Sequence, residues 1–514
     1  MADFARPVAS TTRPGPIRDT LRPLMSDRTT LGLLVALLCG AGWVQLRSVL
    51  HHDPAWLIHG TEVFLDGGRL YRDVFELNPP LIFYLTVPPV WLARSLQLFD
   101  LDVFVVYVVA LITLSLSIAG LVLRYASALP AGMRNGILLA AGVALAICPA
   151  GNFGQREHLM LVLALPYLLL AAGRAQQVPC AMWLAGAVGV MAALGFALKP
   201  HFLLIPFAAE CYIVACTGTL RRLLRTETLG LGAAILLYLE AIVWFTPDYL
   251  TTIVPFGMAV YEGGFDSPLL AVLACPATLL LPLVLTLQLA TRRNLAIPQP
   301  GDILCIAASG FFVIYVMQMK GWSYQAYPLD ATLFLGLAVV LLQSVGVPHL
   351  SRLAIAIGVL LAAVGVNDGM QRYRNAFMAE MAPIVAGLPK DASIYVFTAK
   401  VSEAFPLVNY SGIGWSSRFD TFWLLPGLLM QPAPTPEIEK FLRNAVVTDL
   451  TRRPPALIFV DVAPAKAYFG GRTFDYIRYF SADPRFAALW AEYQPLTRIG
   501  HFLVYRQHSP TGTT

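Results

Sequence analysis

The sequence is short of charge. Asp, Glu, Lys and Arg make up 13% of its 514 residues, about half of the ~25% usual for a soluble domain. With 57% hydrophobic residues and a mean hydropathy of +0.65, this deficit excludes an ordinary water-soluble globule and describes a polytopic membrane protein. Cysteine is scarce too. Cys39, Cys148, Cys180, Cys211, Cys216, Cys275 and Cys305 lie in or beside apolar runs, and none follows residue 305. No CxxC spacing occurs, so neither a thiolate metal site nor a disulfide framework is expected. The cysteines read as small buried hydrophobes. A GxGxxG loop, an internal repeat and a low-complexity tract are also missing. The net charge of +5 says less than where the charges fall.

What is present is a series of apolar runs of spanning length. They lie near 30–50, 79–98, 102–123, 135–150, 157–173, 180–198, 202–217, 228–246, 268–290, 302–318, 327–345 and 350–367. No small-residue cleavage site follows the first, so it reads as an uncleaved span and not a signal peptide. Arg6, Arg13, Arg18, Arg22 and Arg28 place the N-terminus in the cytoplasm by the positive-inside rule. If 79–98 crosses, the later basic turns scatter over both faces. If it stays outside, Arg124, Arg134, Arg174, Arg221, Arg222, Arg225, Arg292, Arg293 and Arg352 all face the cytoplasm. The outer loops then keep only Arg156, Lys199 and Lys320. The run itself begins Pro-Pro, is broken by Pro88-Pro89 and carries Arg94, which suits an interfacial or re-entrant helix.

The expected fold is therefore a polytopic α-helical bundle of about eleven spans, N-terminus in and C-terminus out. Residues 1–28 read as a disordered cytoplasmic tail. Residues 29–370 form the transmembrane domain, with a periplasmic loop at 51–101 carrying interfacial helices. Residues 371–514 form a small periplasmic α/β domain, with strands near 393–398, 456–462 and 502–506, the last paired with 495–499, and a helix starting at 436. That domain would cover the membrane domain or dock an acceptor.

This topology sends acids, cations and aromatics from four loops to one face, while the cytoplasmic loops offer mainly arginine. The first loop gives Asp53, Trp56, Glu76 and Asn78; the second gives Gln155, Arg156, Glu157 and His158; the third is Lys199-Pro200-His201; the fourth holds Lys320, Trp322 and Tyr324. A sugar carried on a lipid phosphate has a good leaving group. Its transfer needs a base for the acceptor hydroxyl, which a carboxylate supplies, and cations for the departing phosphate. At ~4 Å and an effective dielectric near 20 each cation contributes about 4 kcal/mol. Asp53 suits the base; Arg156, Lys199 and Lys320 suit the phosphate; Trp322 and Tyr324 suit sugar or lipid packing.

The first-loop Asp, the run TyrArgAspValPheGluLeuAsnProProLeu at 71–81 and the acid opening a span in GlnArgGluHisLeu at 155–159 resemble the membrane-embedded glycosyltransferases of the GT-C fold class, in particular the group related to protein O-mannosyltransferases and lipid A aminoarabinose transferases. The resemblance implies that Asp53 is the catalytic base. It implies that Glu157 positions substrate or metal, and that Glu76 and Asn78 hold the place of an acid and cation before the prolines. Relatives often carry Lys where this chain has Asn78, which shifts phosphate binding toward Lys199 and Lys320. Metal-dependent members carry an Asp-x-Asp-like pair in the second loop. Here that loop reads Gln-Arg-Glu-His, and the reading without a metal is preferred.

Each residue also has a bland role. Asp53 would cap an interfacial helix, and Glu157 would be the polar start of a span. Arg156, Lys320, Trp322 and Tyr324 would anchor the interface. His51, His52 and His59 fit no usual zinc spacing and read as a solvated cluster. Glu210 and Glu240 lie inside spans and are functional candidates by position alone. The expected function is transfer of a sugar from a polyprenyl-phosphate donor to a lipid A, polysaccharide or protein hydroxyl, by inverting single displacement. The alternative is a transporter or flippase for lipid-linked sugars, a class that usually shows repeats and midplane charges.

Overall fold

The computed structural model describes residues 27–261, 265–292, 298–343, 376–430 and 436–508. Its helical part is built from α1 (Asp27–Leu46), α2 (His52–Leu65), α3 (Leu81–Leu96), α4 (Asp100–Tyr125), α5 (Ala131–Ala146), α6 (Arg156–Ala175), α7 (Met182–Phe196), α8 (Leu204–Thr217), α9 (Thr226–Phe245), α10 (Val254–Tyr261), α11 (Pro276–Arg292), α12 (Pro300–Gln318) and α13 (Ser323–Gln343). Among the described residues seven helices are long and apolar enough to cross a bilayer, α8 being counted with the turn that begins at Pro200. α5, α7 and α11 are shorter apolar helices. These occupy the predicted spans, apart from 350–367, which lies outside the described residues, as do the tail at 1–26 and the end at 509–514. A helix satisfies its own backbone, which lipid cannot do. Small residues then let helices approach closely: a Cβ on Gly189 of α7 would lie 2.2 Å from the Glu227 carbonyl of α9.

α3 does not traverse the bundle. Leu50, just after α1, donates its N–H to Tyr410 Oη at 3.3 Å, and Phe99, just before α4, sits 5.6 Å from the same ring. Both ends of the α2–α3 segment therefore lie on one side. At the opposite end Asn135 Nδ2 donates to Asp27 Oδ1 at 2.9 Å, joining the start of α5 to the start of α1. The sequence reading broke the 79–98 run at Pro88-Pro89, but α3 continues through both prolines as one helix. Arg94 in its last turn bonds Asp66, just past the end of α2, at 2.7 Å. α2 and α3 thus lie side by side.

The arginine-rich turns gather at the end opposite this segment. Arg174 bonds Glu227 at 2.7 and 2.9 Å, and Arg225 bonds Glu210, which also accepts from Tyr167 at 2.8 Å and Thr228 at 3.0 Å. Glu210 is thereby a buried structural acid. Glu240 is exposed on α9.

The C-terminal α/β unit holds a five-stranded sheet in the order β2-β1-β3-β5-β4, with β1 (Ser393–Phe397), β2 (Gly414–Trp415), β3 (Leu457–Asp461), β4 (Tyr493–Ile499) and β5 (Phe502–Gln507). β1 runs parallel to β2 and β3; β5 is antiparallel to β3 and to β4. SerIleTyrValPhe and LeuIlePheValAsp are buried throughout, as parallel strands covered on both faces require. The unit is fastened to the α2–α3 segment. Phe75 N–H donates to the Arg418 carbonyl at 2.7 Å, Asn409 Nδ2 donates to the Ala55 carbonyl at 3.1 Å, and Phe75 packs against Phe419 at 5.1 Å.

Candidate active site

The central helix of the bundle, α6, is buried along almost its whole length and begins with Arg156 and Glu157. The turn before it is set by Gly154, whose φ of +77° and whose absent side chain (a Cβ would fall 2.5 Å from the Phe104 ring) exclude other residues. His158 closes this turn: Gly154 N–H donates to its Nδ1 at 2.9 Å, and its Nε2 lies 2.8 Å from the Leu145 carbonyl. Both ring nitrogens are used and the side chain is fully buried. His158, expected among the substrate contacts, is placed where it fastens the turn that aims Arg156.

Arg156 points into a cavity of about 940 Å³. Its Nη2 donates to Asp53 Oδ2 at 3.0 Å, and its Nη1 lies 4.0 Å from Glu76 Oε1. Glu76 is fixed on its other side by Trp56 Nε1 at 2.8 Å and by the Asn78 side chain and N–H. Asp53 does not cap α2. His51 does, its Nδ1 accepting from Asp53 N–H at 3.3 Å, so the Asp53 carboxylate is free to face the cavity. His52 Nε2 stands 3.4 Å from Asp53 Oδ1. Burial pushes the Asp53 carboxyl up. His52, Arg156, His51 and a bond with Gln155 outweigh it and hold the group well below the usual carboxylate range.

Lys199 sits at the break between α7 and α8, where Pro200 opens a short 3-10 turn. Its Nζ donates to Glu157 Oε1 at 2.6 Å and lies 5.4 Å from the Tyr324 ring centre. Burial pulls the Lys199 ammonium down, with Glu157 opposing and Arg156 adding to the effect. Glu157 is 1% exposed and stands behind the cavity wall. It therefore acts on the cavity through Lys199. Lys320 pairs with Asp266 at 2.7 Å and lies 5.5 Å from the Tyr261 ring. Trp322 and Tyr324 pack at 5.7 Å. The cavity wall thus brings together Asp53, Glu76, Asn78, Arg156, Lys199, His201, Lys320, Trp322 and Tyr324, and leaves Glu157 and His158 behind it.

Arg156 Nε, Glu157 Oε2 and His201 Nε2 are buried with no hydrogen-bond partner among the described residues. Buried polar atoms are rarely left so, and a polar ligand in the cavity is one way to satisfy those of Arg156 and His201, which line it. A set of three donors of metal-ligating type also stands here: His51, His52 and Asp53 place one ligand atom each within 4.8 Å of one another. The set fits a cation poorly. His51 Nδ1 is already 2.7 Å from Gln155 Nε2, and Arg156 supplies positive charge to Asp53 at 3.0 Å.

No family model and no curated protein sequence matches the chain. Solved structures do. ArnT from Cupriavidus metallidurans bound to undecaprenyl phosphate is similar with a TM-score of 0.56 at 12% identity, over 94% of this chain and 99% of that one. The apo state of the same protein is similar with a TM-score of 0.54 at 13% identity, over 92% and 97%. This chain has a GT-C-like membrane fold. The likeness runs through the helical bundle and the C-terminal unit alike, since almost all of both chains is covered.

In this GT-C-like fold the C-terminal unit closes the cavity, and sequence reasoning missed the residues it contributes. Lys400, Ser402, Asp420, Trp423 and Tyr468 line the wall, with Tyr261 and Phe265 from the segment after α9. Phe265 lies 5.5 Å from Trp423 and 5.7 Å from Tyr468. The signal available was SerArgPheAspThrPheTrp at 417–423, an acid set among rings outside any regular pattern.

Proposed function

We propose that this protein is a glycosyltransferase that moves a sugar from a polyprenyl-phosphate carrier to a hydroxyl of a periplasmic acceptor, at the outer face of the bacterial inner membrane, with its C-terminus on that side. The observation that carries the reading is the single cavity in which an ionised carboxylate, Asp53, stands beside Arg156 and within one wall of Lys199 and Lys320. A GT-C-like fold supports it, and so does the undecaprenyl phosphate held by the similar ArnT structure. The polar wall lies at one end of the bundle, which favours chemistry there over passage through the middle.

The chemistry follows from the groups. Asp53 takes the proton of the acceptor hydroxyl, whose oxygen forms a bond to the anomeric carbon. The bond from that carbon to the phosphate oxygen breaks, and the polyprenyl phosphate leaves with the electron pair, so configuration inverts. Lys199, Lys320 and Arg156 receive the phosphate charge. Asp53 is a weak base while Arg156 holds it. A phosphate that draws Arg156 away raises the basicity of Asp53 once donor is bound, and keeps the base quiet before then. Glu157 positions Lys199, and Glu76 with Asn78 positions Arg156. No metal is needed in this scheme.

The test is Asp53→Asn in proteoliposomes with lipid-linked donor. The substitution keeps size and helix, and turnover is expected to fall about 10²–10⁴-fold. Turnover equal to wild type removes Asp53 from the role of base.

A further inference from the structure

The geometry points to an acceptor subsite for a saccharide on the C-terminal unit, with Asp420 hydrogen-bonded to sugar hydroxyls and Trp423 and Tyr468 against the sugar face. The inference rests on the transferase reading above and adds the chemical class of the acceptor.

Three observations carry it. First, the loops that leave all three parallel strands at their carboxyl ends reach the cavity: Lys400 and Ser402 after β1, Asp420 and Trp423 after β2, Tyr468 after β3. That edge of an α/β sheet is where ligands bind. Second, Asp420 is 6% exposed yet lies in the cavity wall. Among the described residues it has no cationic partner; its bonds are to the Thr421 N–H at 2.6 Å and to the Trp423 side chain. A buried acid left without a cation is costly, and every lysine and arginine on this wall is committed elsewhere: Arg156 to Asp53, Lys199 to Glu157, Lys320 to Asp266, Lys400 to Glu403. Burial, then Glu76, push the Asp420 carboxyl well above its ordinary range; in either protonation state its oxygens accept from the hydroxyls of a polyhydroxyl ligand.

Third, the loop is pre-organised on both sides of Asp420. Arg418 N–H and guanidinium bond Asp449 at 2.8–3.0 Å, Trp415 Nε1 donates to the Phe419 carbonyl at 2.8 Å, and Phe422 N–H donates to the Thr398 carbonyl at 2.8 Å. A rigid loop holding an acid between rings has the form of a binding site. Peptides are commonly held along an open strand edge. Here the wall is made of loops and rings, which favours a saccharide.

The experiment uses full-length protein in nanodiscs and two readouts. Saturation-transfer NMR follows maltose, mannobiose, diacetylchitobiose and a Ser/Thr-containing peptide; a separate titration follows undecaprenyl phosphate. At least one disaccharide is expected to receive saturation from wild type. Its signal should fall about tenfold in Asp420→Ala and Trp423→Ala, the loss of one good hydrogen bond or stacking contact, with undecaprenyl phosphate binding unchanged. Asp420→Asn, which keeps shape, should weaken the disaccharide less and serves if the alanine variant does not fold. Disaccharide binding absent from wild type, unaltered by the Asp420 substitutions, or replaced by peptide binding overturns the subsite. Failure of wild type to bind undecaprenyl phosphate instead counts against the donor assignment and leaves the disaccharide result to stand by itself.

Discussion

At the scale of single residues, the two cations nearest Asp53 and Glu157 do different work. Arg156 lowers the Asp53 pKa together with His52, against burial. A carboxyl with a depressed pKa is ionised throughout the ordinary pH range, so the acid limb of kcat/KM should lie below that of a free carboxylate. Arg156→Gln removes one lowering influence. The pKa then rises, and activity should begin to fall at a higher pH on acidification; a pH–rate profile of the two proteins checks the direction. Lys199 and Glu157 form a buried pair at 2.6 Å. Lys199→Met leaves an uncompensated charge and should destabilise by about 3–5 kcal/mol. Adding Glu157→Leu should restore most of that stability, read by thermal unfolding, yet restore no turnover if Lys199 serves the phosphate. Recovery of both would make the pair purely structural.

The residues legible in the sequence were those whose chemistry is out of place at a bilayer surface. Asp53, Arg156 and Lys199 stood out because charge beside apolar runs is costly, and the structure sets them around one cavity. What the sequence did not reveal is direction. On a helix start, Arg156, Glu157 and His158 are consecutive, and only packing decides that the first faces the cavity, the second stands behind Lys199 and the third turns to the backbone. Asp420 was illegible for another reason: it lies in a soluble-type unit where an acid is ordinary, and only the fold carries it to the cavity.

At the scale of elements, the turn at 150–155 is the part most exposed to small changes. Gly154→Ala combines a positive φ with a contact 2.5 Å from the Phe104 ring. It should cost about 1–3 kcal/mol and tilt the start of α6, lowering turnover more than the stability loss alone explains; thermal unfolding and kcat measured together separate the two. The α2–α3 segment shows how a proline pair can mislead. Pro88-Pro89 read as a break, yet α3 runs through them. The distribution of arginines put both ends of the segment on one side, and both pack against Tyr410; sidedness integrates over many loops while a proline speaks only for its own turn.

At the scale of the whole molecule, the basic turns collect at one end and the cavity with its C-terminal cover at the other. In a cysteine-free background, Arg498→Cys on the exposed β4 strand should react with a membrane-impermeant maleimide in intact spheroplasts, and Arg221→Cys only after lysis. The reverse pattern would turn the cavity toward the cytosol and deny it a periplasmic acceptor.

The central claim is that the cavity forms a glycosidic bond. It is tested most directly by mass spectrometry of envelope lipids and glycans from cells with the wild-type protein, without it, and with Asp53→Asn alone. One sugar modification should be present in the first and missing from the other two. An unchanged envelope in the deletion, or full restoration by Asp53→Asn, contradicts the account.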